Sequence, residues 1–175
     1  MENQQTSTKQ IMLNYGLYSG IAAIVISVLN YAIGNVYEPH WWVMVVSIIV
    51  SVAIIFLGIK SFKDSNDGFL SLGEAIKIGV GIALIGGIIG AIYMLIFTNF
   101  IEPDFYTKMG EVSNQKILDQ YPDMSDEQLE SAKAMAAKFQ NPVMTGAFQL
   151  MGSLIFGLII SLIVGLILKN KREEV

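Results

Sequence analysis

The sequence contains no cysteine and only one histidine, His40. Without cysteine, the chain can form no disulfide, no thiolate metal site and no cysteine nucleophile. Zinc sites that lack cysteine need two or three histidines, and a Ser-His-Asp triad would have to form around His40 alone. We therefore predict no catalytic, cofactor-binding or metal-binding residues, and we expect that the protein is not an enzyme and uses no cofactor.

Charged residues are scarce as well. They make up 15% of the 175 residues, against about 25% in an ordinary soluble domain, while hydrophobic residues make up 53%. Mean hydropathy is +0.55. The net charge of −4 argues against a nucleic-acid partner, because nucleic-acid binding requires a basic surface. The composition excludes a soluble enzyme domain and a disordered chain, and it indicates a membrane protein whose first partner is the lipid bilayer.

The apolar residues are gathered into four long runs. A helix needs about 20 mostly apolar residues to cross the hydrocarbon core of a bilayer. Lys77, near the start of the third run, is the one charged residue within them. The runs lack the polar alternation of barrel strands, which leaves helices as the way to satisfy backbone groups in lipid. We predict an all-α membrane protein, a single membrane domain over residues 1–175 with four transmembrane helices in a bundle. The predicted spans are 11–33, 41–59, 75–98 and 143–168.

The connection between the third and fourth spans, 99–142, is too long for a plain loop. Pro103 fits the first position of a helix that would end near residue 120. Ser125, followed three residues later by Gln128, is a capping-box pattern that predicts the start of a second helix. We therefore predict a two-helix extracytoplasmic hairpin at about 103–140 that covers one end of the bundle.

The distribution of lysine and arginine predicts the orientation of the spans, because cytoplasmic loops carry the excess of these residues. The 34–40 turn carries none, and the third connection carries four lysines. The other side of the predicted membrane carries seven basic residues, namely Lys9, Lys60, Lys63, Lys77, Lys169, Lys171 and Arg172. We expect a multi-pass protein with both its N-terminus and its C-terminus in the cytoplasm.

Small residues recur at four-residue spacing in the spans, which is typical of faces where helices approach closely in lipid. The predicted helix-packing residues are Gly16, Gly20, Gly79, Ala83, Gly87, Ala91, Ser153, Gly157, Ser161 and Gly165. The favoured interpretation is packing within one bundle. The alternative is a face for self-association or for a protein partner.

Three polar residues come near the same end of spans one, three and four: Asn30, Tyr93 and Gln149. Polar groups within a span often mark a functional site. One interpretation of the three is a shallow polar cluster open to the outside. The favoured one is a set of interhelical hydrogen bonds, each contributing about 0.6 to 2 kcal/mol.

The order of these parts is similar to that of a known family. The segment DGFLSLGEAIKIGVGIALIGGIIGAIYMLIF at 67–97, the PDF at 103–105 and GSLIFGLIISLIVGLILK at 152–169 resemble a bacterial membrane family, domain-of-unknown-function family 4199. The resemblance rests on the spacing and on the start of the third span, with Phe69, Gly73, Ala75 and Lys77. It implies a location in the bacterial inner (cytoplasmic) membrane. It implies no activity, so there are no site residues to transfer.

Three classes of function fit the sequence. We favour a structural or interaction subunit of an envelope complex, which would use the Gly/Ser faces and the hairpin as contact surfaces. The alternative is a homo-oligomeric small-solute transporter or channel, since four spans without an internal charge leave little room for a pathway in one chain. A lipid-modifying or hydrolytic membrane enzyme is disfavoured by the single histidine and by the absence of a carboxylate pair within the spans.

Overall fold

The computed structural model describes residues 7–34 and 36–170, and within them the chain forms six α-helices and no β-strand. The helices are α1 Thr8–Ala32, α2 Trp41–Ser65, α3 Leu72–Ile96, α4 Phe105–Gln120, α5 Asp126–Phe139 and α6 Pro142–Leu168. Four of them, α1, α2, α3 and α6, are long and apolar enough to cross a membrane. The prediction of an all-α protein with four spans is therefore confirmed. Lys171 and Arg172, which entered the charge analysis, lie outside the described residues.

Several helix boundaries differ from the sequence prediction by one to six residues, and two of these differences bear on the arrangement of the fold. α2 continues to Ser65, well past the predicted end at residue 59, because its hydrogen-bond ladder does not stop where the apolar run stops. The long lysine side chains of this last part can reach the aqueous interface. The first helix after the third span begins at Phe105 rather than at Pro103. The Phe105 N–H donates to the Glu102 carbonyl, and this turn leaves Pro103 outside the helix.

Capping boxes start both α3 and α5. At the start of α3 the Ser71 N–H donates to the Glu74 carboxylate, and the Glu74 N–H donates to the Ser71 hydroxyl oxygen. Ser125 and Gln128 form the same reciprocal pair at the start of α5, as their spacing predicts. Each box gives a hydrogen-bond acceptor to two backbone N–H groups that would otherwise have none at the start of a helix.

α3 is the central helix of the bundle, packed against α1 on one side and against α6 on the other. The hydrophobic core gathers toward the end of the bundle that holds the 66–71 turn, which we call the turn end. The opposite end, which holds the 34–40 turn and the α4–α5 pair, is the insert end. The buried core residues are Ile11, Ile55, Ile59, Phe62, Leu70, Ala75, Ile78, Ile82, Ile160 and Val164.

α2 packs on the other spans mainly through its half at the turn end. Ile55, Gly58, Ile59 and Phe62 are buried there. In the other half, of the residues that the structure describes, Val43 alone is buried. α2 therefore diverges from the bundle toward the insert end, and much of that half faces outward.

A short antiparallel bridge closes the turn end. The Leu70 N–H donates to the Asn170 carbonyl at 2.8 Å, and the Asn170 N–H donates back to the Leu70 carbonyl at 2.9 Å. The Asn170 side-chain amide also donates to the Gly68 carbonyl. Asp67 and Gly68 adopt positive φ, which turns the chain back toward α3 and presents these backbone groups. The bridge thus joins the α2–α3 turn to the residues that follow α6.

α4 and α5 form a helical pair between the third and fourth spans, which confirms the two-helix insert. α4 buries Phe105, whereas α5 buries none of its residues. Met109 and Val112 of α4 and Leu129 and Ala136 of α5 are half-buried, as expected for two amphipathic stripes. The insert is therefore attached to the spans chiefly at the start of α4.

Candidate functional site

The predicted packing residues of α3 and α6 face one another. Gly157 lies so close to Ala83 that a Cβ added to the glycine would overlap the alanine side chain, and Gly79 stands in the same relation to Ser161. Further contacts of this kind are Gly87 with Ser153 and Gly165 with Ala75, whereas a Cβ added at Gly146 would lie 4.0 Å from the Ala91 side chain, an ordinary van der Waals distance. The absence of larger side chains lets the two helices approach closely, which is how helices gain packing energy in lipid.

The predicted packing residues of α1 lie against α3. An added Cβ at Gly16 would lie 2.6 Å from the Ile85 Cβ, and one at Gly20 would lie 2.6 Å from a methyl group of Ile89. Nine of the ten predicted packing residues, all except Ala91, thus make such close contacts between spans of the same chain. Self-association through these faces would have to compete with contacts that one chain already makes.

The three polar residues singled out by the sequence have different neighbours. Asn30 is buried and lines a groove between α1 and α2. Tyr93 packs on the ring of Phe97, with 6.0 Å between the ring centroids. Gln149 is exposed on α6, and its amide lies against Gly90 of α3. Asn30 therefore lies at the groove, Tyr93 lies in an aromatic group, and Gln149 lies at the α3–α6 contact.

Four polar side chains from separate elements meet at the insert end, in what we call the Glu102 cluster: Tyr31, Tyr37, Glu102 and Lys108. The Tyr31 hydroxyl donates to one carboxylate oxygen of Glu102 at 3.0 Å. The Lys108 ammonium donates to the other carboxylate oxygen and lies 5.9 Å from the centre of the Tyr37 ring. The Glu102 side chain is only 14% exposed. Residues from α1, the 34–40 turn, the end of the third span and α4 are thereby tied together.

Aromatic rings cover the Glu102 cluster. Phe105, at the start of α4, stacks on Tyr37 with 5.6 Å between centroids, and it meets Phe97 edge to face at 5.7 Å. Phe97 in turn packs edge to face on Tyr31. Phe97 and Phe105 are 2% and 5% exposed. Because these rings shield the part-buried Tyr31–Glu102 hydrogen bond from water, this bond is stronger than it would be at an open surface.

A π-helical turn, Phe97–Ile101, places the acid of this cluster. The Glu102 N–H donates to the Phe97 carbonyl, five residues back, which ends the third span with one wider turn. The side chains of Thr98 and Asn99 donate hydrogen bonds to backbone carbonyls one turn earlier, so these carbonyls at the end of the span have partners. The turn buries Phe97 and brings Glu102 to the donors on α1 and α4.

The charges of the Glu102 cluster support one another. The Lys108 ammonium, followed by the Tyr31 hydroxyl, holds the pKa of the Glu102 carboxyl below its usual value. The same hydrogen bond raises the pKa of Lys108. Burial raises the pKa of the Tyr37 phenol, and the neighbouring carboxylate adds to this effect. Glu102 is therefore ionised at neutral pH and accepts hydrogen bonds from α1, through Tyr31, and from α4, through Lys108.

Sequence reasoning missed this cluster. Tyr31 and Glu102 are 71 positions apart. Glu102 and Lys108 are six apart, which is not a spacing that brings side chains together on one helix. No local pattern in the sequence could have indicated these contacts.

The divergence of α2 leaves an open groove of about 550 Å³, the α1–α2 groove, which is lined by residues 19–30 of α1 and 39–54 of the 34–40 turn and α2. Its walls are mostly apolar, with small residues such as Ala23, Ser27, Ser47 and Ser51. The Ser47 and Ser51 hydroxyls donate to carbonyls of their own helix. They therefore offer little hydrogen bonding to an occupant of the groove.

Within residues 7–34 and 36–170, no three potential metal ligands of the His, Cys, Asp and Glu types come together. The family described as "Protein of unknown function (DUF4199)" matches residues 14–170. No curated protein and no solved structure matches the chain. The matched range runs from within α1 to the bridge at Asn170, and it includes the segments from which the resemblance was drawn. The protein is an integral membrane protein that belongs to the DUF4199 family.

Proposed function

We propose that the protein is a structural or interaction subunit of a bacterial envelope complex. In this proposal it lies in the inner membrane with both termini in the cytoplasm, and it presents the α4–α5 insert to a protein partner on the other side. The observation that carries the proposal is the state of α5. This helix is capped and amphipathic, yet it buries none of its residues against the rest of the described chain.

Several apolar side chains of the insert are exposed. Met135 is 65% exposed on α5, and Leu118 and Tyr121 are exposed at the end of α4 and just after it. Exposed apolar groups on a helix outside the membrane are typical of a contact surface. The Glu102 cluster supports the proposal because it fixes the start of α4, so that the insert is presented in one orientation.

Crosslinking in cells tests the proposal. A photoreactive amino acid at Met135, on the exposed side of α5, should give one reproducible adduct with a different protein. The same amino acid at Ile49, on the lipid-facing side of α2, is the matched control and should give none. Adducts with a second copy of the chain alone would support the oligomeric transporter or channel instead, and the absence of any adduct at Met135 would overturn the proposed role of the insert.

The orientation has a separate test, because the chain has no cysteine of its own. Single cysteines can replace Ser131 on α5 and Lys60 near the end of α2. A membrane-impermeant maleimide should label Ser131→Cys in spheroplasts and should label Lys60→Cys only after the cells are broken. The reverse pattern would contradict the cytoplasmic placement of the termini.

A further inference from the structure

We propose that the α1–α2 groove is a binding site for one phospholipid of the bilayer, with an acyl chain lying between the two helices. The groove belongs to the membrane-spanning part of the fold, because its walls are the insert-end halves of two spans. Its open side continues onto outward-facing apolar surface of the same helices, including Val25, Val28 and Met44. That surface is already in contact with lipid, so the bilayer supplies the occupant directly.

The walls of the groove are mostly apolar, with a few polar residues on the α1 side, namely Ser19, Ser27 and Asn30. The serines of α2 that line the groove donate their hydroxyl hydrogen bonds within their own helix. Ser47 donates to the Val43 carbonyl, and Ser51 donates to the Ser47 carbonyl. A polar solute in the groove would lose its bonds to water and gain few in return. A hydrocarbon chain loses nothing of this kind, and it gains packing contacts with the walls.

The dimensions of the groove suit an acyl chain. The α1 wall runs from Ser19 to Asn30, which at 1.5 Å per residue is a length of about 17 Å, or about half of a hydrocarbon core. A volume of about 550 Å³ over that length corresponds to a mean width of at least about 6 Å. The groove is therefore long enough and wide enough for a polymethylene chain.

The mouth of the groove fits the level of a lipid headgroup. Pro39, His40 and Trp41 form its rim, where α2 begins. The His40 ring stacks on Trp42, with 6.3 Å between centroids. Tryptophan at a span end is typical of the interface between hydrocarbon and water. A phospholipid with its chain in the groove would place its glycerol region beside these rings.

Native mass spectrometry of the full chain in mild detergent tests the proposal by counting retained phospholipids. The wild type should retain one phospholipid per chain. Ala23→Phe and Ser51→Phe fill the groove from opposite walls, and each should reduce the retained fraction at least about tenfold. Ile49→Phe, which adds the same ring to the lipid-facing side of α2, should retain as much lipid as the wild type. Retention of no lipid by the wild type, or retention at the wild-type level in both groove variants, would overturn the proposal.

A second measurement needs no variant. The chain has two tryptophans, Trp41 and Trp42, and both are at the mouth. Titration of the delipidated protein in detergent with acyl-brominated phosphatidylglycerol should quench their fluorescence with saturation near one lipid per chain. Quenching that rises without saturation would overturn the proposal. Crosslinks that join two copies of the chain at positions 23 and 51 would also overturn it, because they would assign the groove to a second copy of the chain.

Discussion

The α3–α6 contact and the insert-end half of α2 show two ways in which an apolar helix can be accommodated in one small protein. Along α3 and α6, glycine and serine lie opposite each other so closely that Gly157 and Gly79 have no room for a Cβ. Along the insert-end half of α2, Val43 alone is buried among the described residues. The first surface is matched to a protein neighbour, whereas the second has no matching surface within residues 7–34 and 36–170.

The difference shows that small residues, rather than hydropathy, distinguish contacts with protein from contacts with lipid. α2 has the highest hydropathy of the four spans, 2.8, and α1 has the lowest, 1.7. Nevertheless α1 packs more extensively on α3 than α2 does. Lipid tails are as apolar as leucine, so a highly apolar span gains little by leaving lipid for protein. Close approach between two spans therefore depends on small side chains that let the helices fit together.

The substitution with the largest expected effect is Gly157→Leu. The new side chain would have to enter the space of Ala83 Cβ, and because several atoms are added, the effect should exceed the 1–3 kcal/mol that is typical of modest overpacking. We expect loss of α3–α6 docking and of folded protein, measured by thermal melting in detergent. Gly152→Leu is the matched control on the same helix, since nothing lies within 4 Å of an added Cβ there. Equal melting temperatures for the two variants would contradict the close α3–α6 contact at Gly157.

A second pair of substitutions compares the two halves of α2 itself. Ile59 is fully buried at the turn end, and Ile49 is exposed in the other half. Ile59→Ala should cost about 2–5 kcal/mol, because truncation of a buried isoleucine leaves a cavity. Ile49→Ala should change the free energy of unfolding by less than about 0.5 kcal/mol. Equal losses in a steric-trap or detergent unfolding assay would mean that the outer half of α2 is packed after all.

A smaller effect is expected when the Glu102 cluster is broken. Glu102→Gln removes the ion pair with Lys108 but leaves the contacts between spans in place. Spin labels on introduced cysteines, Asn114→Cys on α4 and Met44→Cys on α2, should give a narrow distance distribution in the wild-type background at pH 7 and a broad one with Glu102→Gln. Glu111→Gln, an exposed acid on α4, should leave the distribution narrow.

The same labels give a pH dependence whose sign follows from the pKa directions. The pKa of Glu102 is lowered in the folded protein, so its contribution is present above the ordinary value of 4.5 and is lost as the pH falls through the lower folded value. The pKa of Lys108 is raised, so its contribution is complete below 10.5 and is lost as the pH rises through the higher folded value. We expect the wild-type distribution to broaden only outside this window. A transition near neutral pH would contradict the assignment.

The smallest expected effect on the spans comes from removing most of the insert. Replacement of 109–139 by a short linker keeps Phe105 and the Glu102 cluster, and it removes α5, which buries nothing. Membrane insertion and the melting midpoint of the four spans should stay near those of the wild type, because each span carries its own insertion signal. Failure to insert would show that the insert is required for the fold of the spans.

Sequence reasoning predicted the elements of the fold and little of their arrangement. Apolar runs define where four spans can lie, and the Ser125–Gln128 pattern predicts the start of α5 because both are local properties of the chain. Pro103 misled the prediction for α4, since the turn from Glu102 to Phe105 starts the helix two residues later. A rule for the first helical position does not include the tertiary contacts that hold Phe105.

The arrangement depends on contacts that are distant in sequence. The Tyr31–Glu102 bond spans 71 positions, and the π-helical turn that aims Glu102 leaves no mark in composition or spacing. The divergence of α2 is equally hidden, because its outer half reads as an ordinary span. Small-residue spacing comes closest to a long-range signal. It identifies the faces that are in contact, but it does not state which helix each face meets.

The bridge between Leu70 and Asn170 has a consequence for biogenesis. The Asn170 side-chain amide reaches Gly68 across 102 positions. At a synthesis rate of about 5–20 residues per second, the second of these residues is made about 5–20 s after the first. During that interval Asn170 is not yet available to bond the α2–α3 turn, and α3 has no α6 to pack against. The ribosome therefore sets the time at which the bundle can close, and a chain that is released early keeps its central helix open on one side.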